Sequence, residues 1–222
     1  MIRTIFFDLD DTLYPNSTGL WQAIRMRISL YMKERLNLPE EEIPALRRIY
    51  FEKYGTTLRG LQIHNQVDPL DYLAYVHDLP LQDYLSPSPQ LRQLLMSLPQ
   101  QRWIFTNADS AHARRVLNAL DLKDCFQGII DVLATDFVCK PEPEAYQKAL
   151  QIAGETDPAS CMLVDDAPRN LFAAQKMGFA TVLIGGEHDT ANRLLHAPDL
   201  LSLRSVVPHL WSQNGSESVH SR

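Results

Sequence analysis

Cysteine is scarce in this 222-residue sequence: Cys125, Cys139 and Cys161 are the only three, odd in number and without metal-ligand spacing. That excludes a disulfide framework, and it leaves zinc binding and thiol catalysis without a supporting pattern. The three are read as free thiols in a reduced cytoplasm. No apolar stretch approaches the roughly 18 residues a membrane-spanning helix needs. The opening Met1-Ile2-Arg3-Thr4 leads straight into a strand pattern, unlike a signal peptide. Basic charge is neither dominant nor clustered, with 21 Lys and Arg against 27 Asp and Glu for a formal net charge of -6. A nucleic-acid polymer is therefore not an expected partner, although a local basic pocket can still hold a single nucleotide.

What the sequence does have is a recurring alternation. Short apolar runs at Ile2–Phe7, Trp103–Phe105, Ile129–Ala134, Met162–Val164 and Ala180–Ile184 are each bounded by turn residues. Helical patterns lie between them at about Ala111–Leu120, Pro143–Ala153 and Arg169–Met177, with Pro143 near one helix start and Gly178 just past a helix end. This order predicts an α/β fold, a three-layer, Rossmann-like parallel sheet with helices on both faces.

One interval breaks the alternation. From Asn16 to Leu85 apolar residues recur at spacings of three and four, and no buried strand is evident. An all-helical cap inserted after the first strand is expected. The division is then residues 1–15 and 87–211 for the α/β core and 16–86 for the cap. Pro87-Ser88-Pro89 marks the return, and 212–222 is expected to be a disordered polar tail.

Ligands of an open parallel sheet gather beyond the carboxyl ends of its strands. After the first run come Asp8, Asp10 and Thr12; after the second, Thr106 and Asn107; beyond the third, Lys140-Pro141; after the fourth, Asp165 and Asp166. Singly, each is an ordinary turn, cap or surface residue. Together they make a cation site beside an anion site. A carboxylate attacking a phosphate dianion meets repulsion of about 4 kcal/mol per charge pair at an effective dielectric of about 20. Mg²⁺ held by carboxylates relieves it, Lys140 offsets the remaining charge, and Thr106 can donate to phosphoryl oxygens. Asp10, two residues past Asp8, can turn back to protonate a leaving alkoxide and later deprotonate water.

With these residues assembled, the chain resembles the haloacid dehalogenase superfamily. The likeness is carried by Phe6-Phe7-Asp8-Leu9-Asp10-Asp11-Thr12-Leu13, Ile104-Phe105-Thr106-Asn107, Lys140-Pro141 and Leu163-Val164-Asp165-Asp166. The resemblance implies a phosphatase in which Asp8 is nucleophile and metal ligand. Asp10 would be acid/base and, through its carbonyl, a second ligand. It further implies that Thr106 and Lys140 hold the phosphoryl group. Asp166 would be a direct magnesium ligand, with Asp165 in the outer shell and Asn170 nearby. In the cap, Tyr54-Gly55-Thr56-Thr57-Leu58-Arg59-Gly60-Leu61, Asp68-Pro69-Leu70-Asp71-Tyr72 and the earlier Tyr14-Pro15 resemble the pyrimidine 5'-nucleotidase group. That likeness implies UMP or CMP as substrate, with Thr57, Arg59 and His64 as candidate readers of base or sugar.

Other readings remain. A hydrolytic dehalogenase shares Asp8 but has no alkoxide to protonate, so Asp10 argues against it. A phosphosugar or phosphoglycolate-type phosphatase or mutase keeps every core residue and differs only in the cap. A non-enzymatic phosphoacceptor domain of the receiver type places its acidic pair before the acceptor and has no cap.

Overall fold

The structure, a computed structural model, describes residues 1–186 and 194–212; of the expected tail only Ser212 falls within them. The first strand, β1 (Thr4–Phe7), is β-branched and aromatic and buried throughout. It lies inside a six-stranded sheet of order β3-β2-β1-β4-β5-β6, made with β2 (Gln101–Phe105), β3 (Gly128–Ile130), β4 (Cys161–Asp165), β5 (Ala180–Ile184) and β6 (His196–Ala197). Every pairing is parallel, and β1 registers Phe7 with Ile104 on one side and with Val164 on the other. This is the Rossmann-like order, whose strand sequence reverses at β1 and opens a crevice at its carboxyl end.

Alternation along the strands builds the layers. Ile5, Phe7, Ile104, Met162, Val164, Val182 and Ile184 enter one apolar cluster. Phe6, Phe105, Cys161, Leu163 and Leu183 enter the other. The second face is covered by α7 (Pro143–Ala153) and α8 (Pro168–Lys176), which supply Tyr146, Ala149, Leu171 and Ala174. The first face is covered by α5 (Pro89–Met96) and α6 (Ser110–Ala119), through Leu91, Leu95, Ala113 and Val116.

Between β1 and β2 the described chain is helical, as its periodicity predicts. It forms α1 (Leu20–Leu36), α2 (Ile43–Tyr54), α3 (Thr57–Asn65) and α4 (Pro69–Val76), with a single-turn helix on either side. Caps are local: Thr56 Oγ1 accepts from Arg59 N at 3.1 Å, and Asp68 Oδ1 from Leu70 N at 2.9 Å. The apolar faces of α1 to α4 join the first sheet-face cluster through Leu20, Ile24, Tyr31, Leu61 and Tyr72.

Gly60 is where α2 and α3 touch. A Cβ there would lie 2.2 Å from Tyr50 Cγ and 2.5 Å from its Cβ. Gly60→Ala must therefore push the Tyr50 ring and with it α2, an overpacking cost of about 1–3 kcal/mol. Thermal unfolding is expected to show a lowered Tm, and an unchanged Tm would contradict this helix contact.

Three details depart from the sequence pattern. The expected strand at Ile129–Ala134 ends at Ile130, because the Asp131 carboxylate accepts from Ala134 N and Ser110 N and curls the chain into a turn. Pro87-Ser88-Pro89 is more than a linker, since Pro89 starts α5 with Ser88 Oγ as its N-cap. β6 has only two residues, too few for any periodicity to announce.

Candidate active site

β1, β2 and β4 are sheet neighbours, so the residues just past their carboxyl ends converge. Asp8 leaves β1 with its N–H bonded to Val164 O at 2.9 Å. Asp11 then takes a left-handed conformation, φ 58°, and Leu13 N closes on Leu9 O at 3.0 Å. This tight turn carries Asp10 and Asp11 out of the end of β1.

Lys140 is the electrostatic centre. It is 1% exposed, and its ammonium donates to Asp8 Oδ1 at 2.8 Å, Asp165 Oδ2 at 2.7 Å and Phe105 O at 2.7 Å. All three protons of the group are thereby used. Burial would strip its charge, yet the carboxylates of Asp165 and Asp8 hold its pKa above the ordinary lysine value.

Asp165 is saturated. Besides Lys140 it accepts from Asn170 Nδ2 at 3.0 and 3.1 Å and from Ala167 N at 2.8 Å. None of these donors engages Asp166. Its carboxyl is pushed up to about 7 by burial and by the charge of Asp165. Burial likewise drives Asp8 well above the ordinary carboxylate range, against the pull of Lys140, with Asp165 and Asp166 adding to it. Oxygens of Asp8, Asp165 and Asp166 lie within 4.8 Å of one another. Three close carboxylates with one ammonium leave excess negative charge in a desolvated place, and hard oxygen donors of this kind suit a divalent cation such as Mg²⁺.

Thr106 is buried at the end of β2, where its Oγ1 accepts from Ala108 N at 3.0 Å and keeps its own proton for donation. Asn107 follows it. Its amide is spent on the main chain of Lys140, donating to the carbonyl at 3.0 Å and accepting from the N–H at 2.8 Å. The side chain thereby fixes the loop that carries the ammonium.

Around Asp10 lies a set of residues that the sequence pattern does not place at the site. Tyr14 Oη donates to Asp10 Oδ1, and His112 Nε2 meets the same oxygen at 3.0 Å. The ring of His77 stacks on His112 with centroids 4.1 Å apart, and its Nδ1 lies 2.8 Å from Asp109 Oδ2. Burial alone would raise the Asp10 pKa, but His112 and Tyr14 hold it below the ordinary value. Burial and the neighbouring His112 lower that of His77. Only Tyr14 has a sequence signal, as part of Tyr14-Pro15. His112 sits on the buried face of α6, indistinguishable in sequence from a core histidine.

Of the cap candidates, Thr57 is buried at the start of α3 and Arg59 is exposed on it. His64 is taken up within the insertion, with Nε2 2.7 Å from Tyr54 Oη and its ring stacked on Tyr50. The turn between α2 and α3 docks on the catalytic layer. Arg169 donates to Phe51 O at 3.1 Å and Gly55 O at 2.7 Å, and Thr56 Oγ1 lies 3.8 Å from Cys139 Sγ. Gly55 has φ 83° there, and a Cβ on it would come within 3.2 Å of Lys140 O. Thr57 thus sits directly after a turn that packs on the Lys140 carbonyl, while His64 is at the far end of its helix. Cys125, Cys139 and Cys161 are buried free thiols. Among the described residues no helix is long and apolar enough to cross a membrane.

A Rossmann-like parallel sheet with a helical insertion after β1, and an aspartate-lysine-aspartate cluster at its switch point, defines a hydrolase fold class. The chain belongs to the haloacid dehalogenase-like hydrolase family, whose pattern it matches over residues 2–178. It is 33% identical over 195 residues to Phosphate metabolism protein 8 of Saccharomyces cerevisiae; the match covers 82% of this chain and 61% of the yeast protein. It is 26% identical over 203 residues to a glyceraldehyde 3-phosphate phosphatase of Pyrococcus abyssi, covering 82% and 81% of the two chains. Among solved structures, the putative HAD-hydrolase YfnB of Bacillus subtilis bound to magnesium superposes with a TM-score of 0.63 at 15% identity, covering 93% of this chain and 99% of that one.

Proposed function

We propose that the chain is a Mg²⁺-dependent phosphomonoester hydrolase that works through an aspartyl-phosphate on Asp8 and acts on pyrimidine nucleoside 5'-monophosphates. The observation that carries this reading is the pairing of Asp8, bonded to a buried ammonium, with a second carboxyl, Asp10, fixed at the same strand end. Asp8, Asp166 and the Asp10 carbonyl would hold the metal, with Asp165 behind them. Bound there, Mg²⁺ supplies the positive charge that lets an anionic carboxylate approach a phosphate.

Lys140 keeps Asp8 Oδ1 engaged, so Oδ2, met by Thr12 Oγ1 at 3.5 Å, is the freer oxygen to attack phosphorus. As the Asp8–phosphorus bond forms, the ester P–O bond breaks and the leaving oxygen takes a proton from Asp10. An arriving phosphate raises the proton affinity of Asp10, which the resting network holds low. Asp10, now ionised, takes a proton from the water that attacks the aspartyl-phosphate, and cleavage of the Asp8–phosphorus bond restores Asp8. Thr106 donates to a phosphoryl oxygen throughout. The required proton acceptor for the second half is the state the Tyr14 and His112 bonds favour. Asp10 also argues against a dehalogenase, which has no alkoxide to protonate.

For the substrate, Thr57 and Arg59 lie next to the turn that docks on the Lys140 loop, within a segment resembling pyrimidine nucleotidases. His64, bonded to Tyr54, would act by shaping that aromatic cluster. A three-carbon phosphosugar is the second reading, favoured by the archaeal glyceraldehyde 3-phosphate phosphatase relative. A panel run with Mg²⁺, containing UMP, CMP, AMP, glyceraldehyde 3-phosphate, phosphoglycolate and hexose phosphates, tests both. UMP or CMP is expected to lead in kcat/KM by at least about tenfold, or about 1.4 kcal/mol of differential binding. A lead by a sugar phosphate or phosphoglycolate rejects the nucleotide reading and leaves the phosphatase reading standing.

A further inference from the structure

We propose that His112, backed by His77, is a positioning pair that presents one chosen oxygen of Asp10 to the leaving group. The inference rests on the proposed acid/base role of Asp10. Both bonds to the Asp10 carboxyl, from Tyr14 Oη and His112 Nε2, fall on Oδ1. Oδ2 is left as the oxygen that can carry a proton to the substrate or take one from water. A carboxyl pinned at one oxygen has lost its rotation and presents the other in a fixed direction, which is what proton transfer over hydrogen-bond distance requires.

His112 is suited to pin it. Its side chain is fully buried, and its Nδ1 is a buried atom without a hydrogen-bond partner. An ionised carboxylate is an acceptor only, so the bond to Asp10 is donated by a proton on Nε2, the nitrogen facing it. The ring is held flat from outside by His77, at 4.1 Å and an interplanar angle of 16°. Asp109 caps the helix that carries it, its Oδ1 accepting from the His112 backbone N–H at 2.7 Å while its Oδ2 binds His77 Nδ1. A single carboxylate thus ties the His77 ring to the start of the helix that carries His112.

The pair also spans two parts of the fold. His77 ends α4, in the helical insertion, while His112 is on α6 of the sheet layer. Arg115, also on α6, donates to His77 O at 2.7 Å and to Leu79 O. The returning end of the insertion is therefore clamped to the helix that orients Asp10. Where the insertion docks, the acid/base is set in place.

A general acid matters most for a poor leaving group. p-Nitrophenolate departs with little help, whereas an alkoxide needs its proton in the transition state. The test is the ratio of kcat for the alkyl ester the parent hydrolyses best to kcat for p-nitrophenyl phosphate. His112→Phe keeps the stacked ring and loses the Nε2 donor, and the ratio is expected to fall by about tenfold or more. His112→Gln puts an amide N–H near the Nε2 position and should bring the ratio back to within about threefold of the parent. His77→Phe never touches Asp10 and should shift the ratio in the same direction by a smaller factor; it also serves if His112→Phe does not fold. Equal losses on both esters, or a Gln variant no better than Phe, would overturn the positioning role while the phosphatase reading stands. A parent without phosphatase activity would overturn both.

Discussion

Asp8→Asn is expected to abolish hydrolysis of every ester the parent accepts, by at least about 10⁴-fold in kcat, the scale on which removal of a nucleophile registers. The loss should be in the chemical step and not in folding. In the parent, Asp8 shares a buried site with Asp165 and Asp166 and a single ammonium, and burial already drives its carboxyl well above the ordinary range. An amide of the same shape removes a charge that is costly to bury and still accepts from Lys140. Tm should therefore hold or rise while activity disappears. Rapid acid quenching with peptide mass spectrometry should find phosphoryl label on the Asp8 peptide of the parent and none in the variant. Chelation of the metal should stop the parent and restoring Mg²⁺ should restart it. Near-parental turnover by Asp8→Asn would remove Asp8 as nucleophile.

How much of the fold and site is legible in the sequence depends on the range of the interactions concerned. Asp8, Thr106, Lys140 and Asp165 announce themselves because each lies at or beyond the end of a strand, and parallel strands put their carboxyl ends on one edge whatever the details. The helical stretch after β1 is legible because its apolar spacing is local. The bond of the Asn107 side chain to the main chain of Lys140 joins positions 33 residues apart, which no spacing reveals. His112 and His77 escape for the same reason, their significance lying in contacts to Asp10 and to each other across 102 and 35 positions of chain. Asp131 ends a strand early through side-chain bonds to the backbone, a competition that an apolar run such as Ile129–Ala134 conceals.

Removing the ammonium has the opposite signature to removing the nucleophile. Lys140→Met fills a similar volume but leaves Asp8 and Asp165 facing each other and Phe105 O without its donor. Breaking a buried pair this way costs about 3–5 kcal/mol. At about 2–4 °C per kcal/mol for a chain of this size, Tm should fall by roughly 6–20 °C. The deficit should depend on pH with a definite sign. Without Lys140, the carboxyl of Asp8, already raised by burial, loses the charge that pulls it down and is raised further in the folded state relative to the unfolded one. The folded protein then binds more protons, and stability is lost as pH rises through the raised Asp8 value. Lowering the pH from neutral toward the ordinary carboxylate range should therefore narrow the gap to the parent. Adding Asp165→Asn to Lys140→Met removes one of the two stranded charges, and the double variant should recover much of the lost Tm, a coupling readable as a double-mutant cycle. Activity should not return with it, because Asp8 still lacks the ammonium that offsets its charge when phosphate arrives. A single variant with parental Tm, or a double variant that regains turnover along with stability, would show that Lys140 does not carry the charge balance of this site.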